Sequence, residues 1–348
     1  MLKGGYKLKI EDKFNEYIIF TPLKAELQTM YLRYEDKYIE VNYNCDKSIF
    51  YDAYNKNYIL NNITSNLEKI GDIQIIIDND LFPCRYKSDE YYEGQFIKKN
   101  HPMYLEGRRN NFFETDDLLI FIYHYPNEYI NIIKKNSTKF MSIVKNNNDA
   151  LQQLVYGIKK ILAGYNAKKG IYTIHGSAVK KDGEGSLFIG GSYSGKTTIF
   201  LNMISNGYYP INDDIVFWYK KNNKIYIKGS PIVLHKRKNS DELNMSSKIH
   251  NSNELLDYIN MVYDENEVVL KNIFISKFGF DGSNIKKLDN IDHKKFLRAC
   301  TVHYSIEVDE NFYDAYTQLI SLSIYNLEMS KDYNSVLKCI ESVTNCKN

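Results

Sequence analysis

The chain has 348 residues, of which 43% are hydrophobic and 25% are charged, so it can bury one large core or two medium ones. Its 45 basic and 43 acidic side chains leave a formal charge of +2, and only six of the basic residues are Arg. This balance lacks the electrostatic footprint of a nucleic-acid-binding protein. The five cysteines show no CxxC spacing, which argues against a zinc or disulfide framework.

The first residues lack the apolar segment of a secretion signal. No run in the chain approaches the roughly 18 to 20 apolar residues that a membrane helix needs. The scattered cysteines fit the reduced thiols of the cytosol. We therefore expect a cytoplasmic protein whose partners include neither nucleic acid nor membrane.

The first part of the chain is predicted to be rich in strands. Short alternating segments separated by Asn, Asp and Gly clusters are typical of strands and turns, the clearest being residues 38–41, 73–77 and 118–123. The spacing of apolar residues changes at residues 149–162, where they recur every three or four positions and predict a helix. We expect a β-rich N-terminal domain, residues 1–148, and a second domain, residues 149–348. The N-terminal domain could serve in substrate recognition or in homo-oligomerisation, and the sequence leaves both roles open.

The second domain is predicted to be α/β (α+β) with a mixed sheet. Two strand-like runs, residues 171–179 and 186–189, lead into a glycine-rich loop, a helix over residues 196–206 that ends at Gly207, and a strand over residues 208–219. Further predicted elements are a hairpin joining 216–220 to 224–228, helices at 253–262, 293–302, 311–322 and 332–343, and strands at 268–277 and 325–329.

The glycine-rich loop carries the clearest chemical motif. It reads Gly190-Gly191-Ser192-Tyr193-Ser194-Gly195-Lys196-Thr197-Thr198 and meets the pattern G-x-x-x-x-G-K-[ST] between a strand and a helix. Glycines let the backbone N–H groups turn towards phosphate oxygens, and the helix N-terminus adds its positive dipole. Lys196 can then reach the β and γ phosphates, and the Thr197 hydroxyl can bind Mg²⁺. The motif predicts ATP and Mg²⁺ as cofactors.

Two aspartates follow the loop's helix. Phosphoryl transfer to a hydroxyl needs a carboxylate at the metal and a group that accepts the proton, and Asp213 and Asp214 are the candidates. Adjacent strand residues point to opposite faces, so at most one of them can face the metal unless the strand bends there. The alternative is a solvated turn. His175, in the strand-like run before the loop, is by itself more typical of a core or surface histidine.

The segments around these residues resemble a known family. Ile174-His175-Gly176-Ser177-Ala178-Val179, the loop, Gly207 and Asn212-Asp213-Asp214-Ile215-Val216 are similar in order and spacing to the HPr kinase/phosphorylase catalytic domain. They resemble still more its divergent kinase relatives found beside peptide-modifying enzymes, such as the kinases of lasso-peptide clusters. The resemblance covers residues 150–235 well.

The resemblance implies a kinase in which Asp213 and Asp214 divide the roles of proton acceptor and metal support. It implies that His175 lies against the pair, and which aspartate takes which role stays open. Together with the loop motif, this gives Asp213, Asp214, His175 and Lys196 as catalytic residues, with Thr197 and Asp214 assigned to the metal. Gly191 and Tyr193 depart from the acidic residue and the glycine that the bifunctional enzymes carry at these positions, and their C-terminal glycine-arginine signature is missing. These departures argue against HPr as the substrate and against the reverse phosphorylase activity. The chain is more similar to the relatives that phosphorylate a serine or the C-terminal end of a ribosomally made peptide, and a serine of a peptide or protein is the expected acceptor.

Other functions stay open from the sequence. A kinase of a small molecule, or an enzyme like phosphoenolpyruvate carboxykinase, would share the loop, and a regulatory module could bind ATP without catalysis. No Asn/Thr-Lys-x-Asp motif supports a GTPase, and no Leu-Ser-Gly-Gly-Gln signature supports a transporter ATPase. Arg237 could clamp a phosphate or belong to a solvated basic loop.

Overall fold

The computed structural model describes residues 27–63, 66–77, 95–96, 109–114, 118–125, 129–134, 138–191, 193–232, 266–293, 296–297 and 310–344. The chain divides into two compact units, Met1–Ile161 and Leu162–Asn348. A long helix, Asn147–Ala167, crosses this division, so the limits 1–148 and 149–348 stay a prediction. Helices and mixed sheets occur together, which confirms a mixed α/β fold.

The first unit contains one nine-stranded sheet in the order β3-β1-β2-β4-β9-β8-β7-β6-β5. The β2–β4 and β4–β9 pairs are parallel, and the remaining pairs are antiparallel. The strands are β1 Gln28–Tyr34, β2 Lys37–Tyr43, β3 Ile59–Leu60, β4 Glu68–Ile77, β5 Gln95–Phe96, β6 Arg109–Glu114, β7 Leu118–Tyr125, β8 Tyr129–Lys134 and β9 Lys139–Val144. A short helix, α1 (Ser48–Ala53), follows β2.

The long helix α2 (Asn147–Ala167) packs closely on the first sheet. A Cβ added to Gly157 would collide with the ring of Phe140 on β9, and one added to Gly71 on β4 would collide with Ile161. Glycines at these two positions therefore let the helix and the strands approach each other. The predicted strands at 38–41, 73–77 and 118–123 and the helix at 149–162 are all confirmed.

The second unit also contains a nine-stranded sheet. Seven strands follow the order β10-β14-β15-β16-β12-β11-β13, and β18 pairs with both β16 and β17. Its strands are β10 Tyr172–Ile174, β11 Gly176–Lys181, β12 Glu184–Ile189, β13 Tyr209–Asn212, β14 Val216–Lys221, β15 Lys224–Lys228, β16 Val268–Phe278, β17 Asn284–Lys287 and β18 Ser323–Met329. Its further helices are α3 Lys196–Ser205, α4 Glu310–Ile320 and α5 Tyr333–Thr344.

Three parallel strands, β12, β16 and β18, form the centre of this second sheet. Phe188, Phe274 and Tyr325 lie in register across them, with ring centroids 5.0 and 5.6 Å apart. Buried side chains of α3 and α5 join the same core, among them Phe200, Met203, Val336 and Ile340. Because parallel strands end at one edge, the C-terminal ends of β12, β16 and β18 meet there.

Most predicted elements of the second unit are confirmed, including α3, its end at Gly207 with φ 88°, and the β14–β15 hairpin. Asn222 and Asn223 both adopt positive φ, as the two-residue turn of that hairpin requires. The predicted helix at 253–262 lies outside the described residues, as does most of the one at 293–302.

Two predicted continuous strands are wrong. The run 171–179 breaks at His175, because β10 pairs with β14 whereas β11 pairs with β12 and β13. The run 208–219 breaks at Asp213 and Asp214, and Asp214 adopts a φ of 78° that no regular strand contains. These two breaks lie beside each other.

Candidate active site

The glycine-rich loop joins β12 to α3 at the edge where the parallel strands end. Gly195 precedes the helix with φ 87°, and a Cβ there would also collide with the side chain of Met329 at the end of β18. A Cβ on Gly190 would collide with the Ser194 hydroxyl and with the carbonyl oxygen of Ser276. Both glycines are therefore required by the close approach of the loop to its neighbours.

The Ser276 hydroxyl holds the loop from the side of β16. Its oxygen lies 3.2 Å from the Ser194 hydroxyl oxygen and donates to the Ile189 carbonyl at 3.2 Å. Ser194 is itself buried, whereas the Tyr193 side chain is 89% exposed and its backbone has a φ of 62°. Ser192 lies outside the described residues. The loop thus has an anchored base and an exposed tip.

Lys196, the first residue of α3, turns back over this loop. Its side chain is buried, and its ammonium donates to the carbonyl oxygens of Gly190 at 2.8 Å and Gly191 at 2.9 Å. The helix amide of Ile199 bonds to the Gly195 carbonyl, which starts the helix at the motif. The Lys196 ammonium and the N-terminus of α3 therefore both lie at the loop, an arrangement suited to binding phosphate groups.

Thr197 and Asp213 come together beneath the loop. The Thr197 hydroxyl donates to Asp213 Oδ2 at 2.8 Å, and the Ser177 hydroxyl donates to Asp213 Oδ1. Ser177 is fully buried on β11, and Thr198 beside Thr197 is half-buried on α3. Both oxygens of the Asp213 carboxylate therefore accept a hydroxyl hydrogen bond.

His175 and Asp214 form a second pair. The Nδ1 atom of His175 lies 3.0 Å from Asp214 Oδ1 and 3.0 Å from the Asp214 carbonyl oxygen. Since an ionised carboxylate and a carbonyl oxygen only accept hydrogen bonds, Nδ1 must carry the proton. The Asp214 side chain is 40% exposed, so its carboxylate reaches solvent.

The two aspartates contact different residues, and their contacts differ from those expected from the sequence. Asp214, assigned there to the metal with Thr197, contacts His175, and it is Asp213 that contacts Thr197. The bend between β13 and β14 makes this separation possible, because the two side chains leave an irregular segment. The metal assignment of Asp214 stays a prediction, with Asp213 as its alternative. Arg237 lies outside the described residues.

Sequence reasoning missed Ser177 and Ser276. Ser177 stands inside the segment that carries the family resemblance, and Ser276 lies near the end of β16, yet neither position had a chemical signal of its own. The missing information was the strand order: β11 and β16 lie on either side of β12, and this places both serines next to the loop that follows β12.

The oxygen donors at Thr197 and Asp213 fit a magnesium ion, which prefers hydroxyl, carboxylate, phosphate and water oxygens. Among the described residues, no group of three or more His, Cys, Asp or Glu side chains is placed to hold a metal. A Mg²⁺ ion at this site would therefore take its remaining ligands from phosphates and water.

Within the described ranges, no helix has both the length and the apolar character needed to cross a bilayer. No family model matches the chain, and no curated protein sequence matches it. Among solved structures, the chain is similar to the Hpr(Ser) kinase/phosphatase from Coxiella burnetii, with a TM-score of 0.27 and 12% identity. The similarity covers 49% of this chain and 95% of that one. A likeness this distant leaves the function to be argued from the site.

Proposed function

We propose that the chain is an ATP- and Mg²⁺-dependent kinase that transfers the γ-phosphoryl group to a hydroxyl, most simply a serine, of a peptide or protein. One observation carries this proposal: the loop cation, the Thr197–Asp213 pair and the His175–Asp214 pair converge at one edge of the sheet. Phosphoryl transfer needs a phosphate cradle, a metal site and a proton acceptor, and these three features supply them.

The triphosphate would bind against the loop amides from Gly190 to Thr198. Lys196 would exchange its carbonyl contacts for phosphate oxygens and stabilise the charge that develops there. Thr197 and Asp213 would hold Mg²⁺, which when bound adds further charge neutralisation. The acceptor oxygen forms a bond to the γ phosphorus while the bond from that phosphorus to the bridging oxygen breaks. The electron pair of that bond leaves with ADP.

The proton of the acceptor hydroxyl would pass to Asp214. Both Asp213 oxygens already accept hydrogen bonds from Ser177 and Thr197, whereas the Asp214 carboxylate is partly exposed. The Nδ1–H of His175 orients the Asp214 carboxylate and stabilises its charge before transfer. Asp214 is therefore the better general base, and Asp213 is the better metal support.

A peptide acceptor is supported by the sequence resemblance, and the same site would serve a small-molecule kinase. The test is to incubate the protein with labelled ATP, Mg²⁺ and the peptides encoded beside its gene, and to locate the phosphate by mass spectrometry. Transfer to none of these peptides, together with transfer to a small alcohol, would replace the peptide acceptor by a small one.

Two variants test the site itself. Lys196→Ala should weaken ATP binding, measured by calorimetry, and unchanged affinity would overturn the nucleotide site. The double change Asp213→Asn with Asp214→Asn should still bind ATP and lose transfer. The matched control is Asp182→Asn, an exposed aspartate in the β11–β12 turn, which should transfer at the normal rate.

A further inference from the structure

The side chain of Ser177, in the second unit, is fully buried. It lies on β11 opposite Phe188 of β12, and none of its surface is exposed to solvent. A side chain so placed cannot touch a nucleotide or an acceptor. Its hydroxyl nevertheless donates to Asp213 Oδ1, so it contacts a carboxylate at the metal position.

Asp213 is held from two directions. Thr197 donates to Oδ2 from the first turn of α3 at 2.8 Å, and Ser177 donates to Oδ1 from β11. Asp213 itself lies on the bend after β13, outside any strand, and Asp214 beside it has φ 78°. Because no strand pairing fixes its backbone, these side-chain hydrogen bonds orient its carboxylate.

We propose that Ser177 is a positioning residue that holds the Asp213 carboxylate so that Oδ2 stays directed at Thr197 and at Mg²⁺. This inference rests on the proposed function. Ser177 determines how well the protein uses the metal and leaves the binding of phosphate by the loop unchanged. The neighbouring Gly176 supports this placement, since a Cβ there would collide with the Phe188 carbonyl oxygen and push β11 away from β12.

The decisive readout is therefore the dependence on metal. Ser177→Ala removes the donor, and the Asp213 carboxylate gains freedom to rotate away from Thr197. We expect the Mg²⁺ concentration for half-maximal activity to rise about tenfold, which corresponds to roughly 1.4 kcal/mol. The affinity for ATP in EDTA, measured by calorimetry, should equal that of the unchanged protein.

A second variant separates hydrogen bonding from packing. Ser177→Cys keeps the shape of the side chain and replaces the hydroxyl by a weak donor. If Ser177 acts through its hydrogen bond, the cysteine variant should resemble the alanine variant in its Mg²⁺ requirement. If it only fills space, the cysteine variant should resemble the unchanged protein, and the proposal is wrong. The cysteine variant also keeps the test valid if the alanine variant fails to fold.

The matched control is Ser186→Ala, which removes a buried hydroxyl from β12 of the same sheet. It should leave the Mg²⁺ requirement unchanged, and an equal rise there would overturn a specific role for Ser177. A normal Mg²⁺ requirement in both Ser177 variants would also overturn the positioning role, yet would leave the kinase intact. Loss of the proposed function itself would show separately, as ATP affinity that is unaffected by Lys196→Ala.

Discussion

Each unit of the protein contains a cluster of hydrogen-bonded polar side chains, and the two clusters differ in charge and in burial. In the first unit, Asn131 donates to Gln153 at 2.9 Å, and Ser142 donates to Asn131 at 2.7 Å, all three being buried. In the second unit, hydroxyl donors from β11 and α3 converge on the carboxylate of Asp213.

The difference shows how hydrogen-bonded polar side chains are used in the two units. The neutral cluster satisfies its own donors and acceptors and fixes α2 against β8 and β9, so it serves the fold. The charged cluster holds the half-buried carboxylate of Asp213 next to Asp214, and the buried Ser177 is one of its hydrogen-bond donors. A half-buried carboxylate held by neighbouring hydroxyl donors thus distinguishes the candidate active site from the core.

The largest expected effect comes from removing the proposed base. Asp214→Asn keeps the backbone, because Asn tolerates the left-handed conformation that this position adopts. It cannot take a proton, so kcat should fall by roughly 10² to 10⁴-fold. Steady-state kinetics at saturating ATP and Mg²⁺ would measure the loss.

Asp213→Asn is the companion variant that sharpens this result. Its main effect should be a higher Mg²⁺ requirement, since an amide is a poorer metal ligand than a carboxylate. If the Asp213 variant loses turnover at saturating metal while the Asp214 variant keeps it, the two roles must be exchanged.

The next effect tests how much a partly buried charge destabilises the fold at a position where no catalysis is proposed. Burial lowers the pKa of Lys160, on α2 in the first unit, from 10.5 to about 8. Since this pKa is lower in the folded state, folding is penalised fully below pH 8, and stability rises as pH increases towards 10.5. Lys160→Met should therefore stabilise the protein at pH 7, by on the order of 2 to 3 kcal/mol.

Chemical denaturation at pH 7 and at pH 10.5 would measure this effect. The stabilising effect of Lys160→Met should shrink between the two pH values, because the unchanged protein regains its stability as Lys160 loses its proton. Lys159→Met, at the adjacent position of α2, controls for the removal of a lysine from this helix. An equal gain at both pH values would show that packing, and not charge, is responsible.

The smallest expected effect concerns the neutral cluster. Gln153→Leu leaves the Asn131 amide without its acceptor and should lower the free energy of unfolding by about 2 kcal/mol. ATP affinity should stay the same, because the nucleotide loop belongs to the other unit. Gln152→Leu, an exposed neighbour on the same helix, should change stability by less than about 0.5 kcal/mol.

Periodicity and turn chemistry made much of the second unit predictable. The helix from Lys196, its end at Gly207 and the Asn222-Asn223 hairpin each have a local cause, and local causes are visible in sequence. The closeness of the loop and the aspartates could also be expected, because strand, helix and strand bring them to one edge of the sheet.

The breaks at His175 and at Asp213 could not be predicted, because each arises where the chain changes its strand partner. The pattern of apolar residues along the chain does not differ before and after a change of strand partner. Ser177 was invisible for a related reason, since a serine in a buried strand has no chemical meaning until its neighbour across the sheet is known. The division of roles between the aspartates depends on these same long-range contacts.

The left-handed backbone at Asp214 has a consequence for engineering. A residue other than glycine at φ 78° stores conformational strain, and Asp214→Gly would release part of it. The same change removes the hydrogen bond that His175 Nδ1 donates to Asp214 Oδ1, so the two effects on stability oppose each other. A selection for turnover, and not one for thermal stability alone, is therefore what should retain aspartate here.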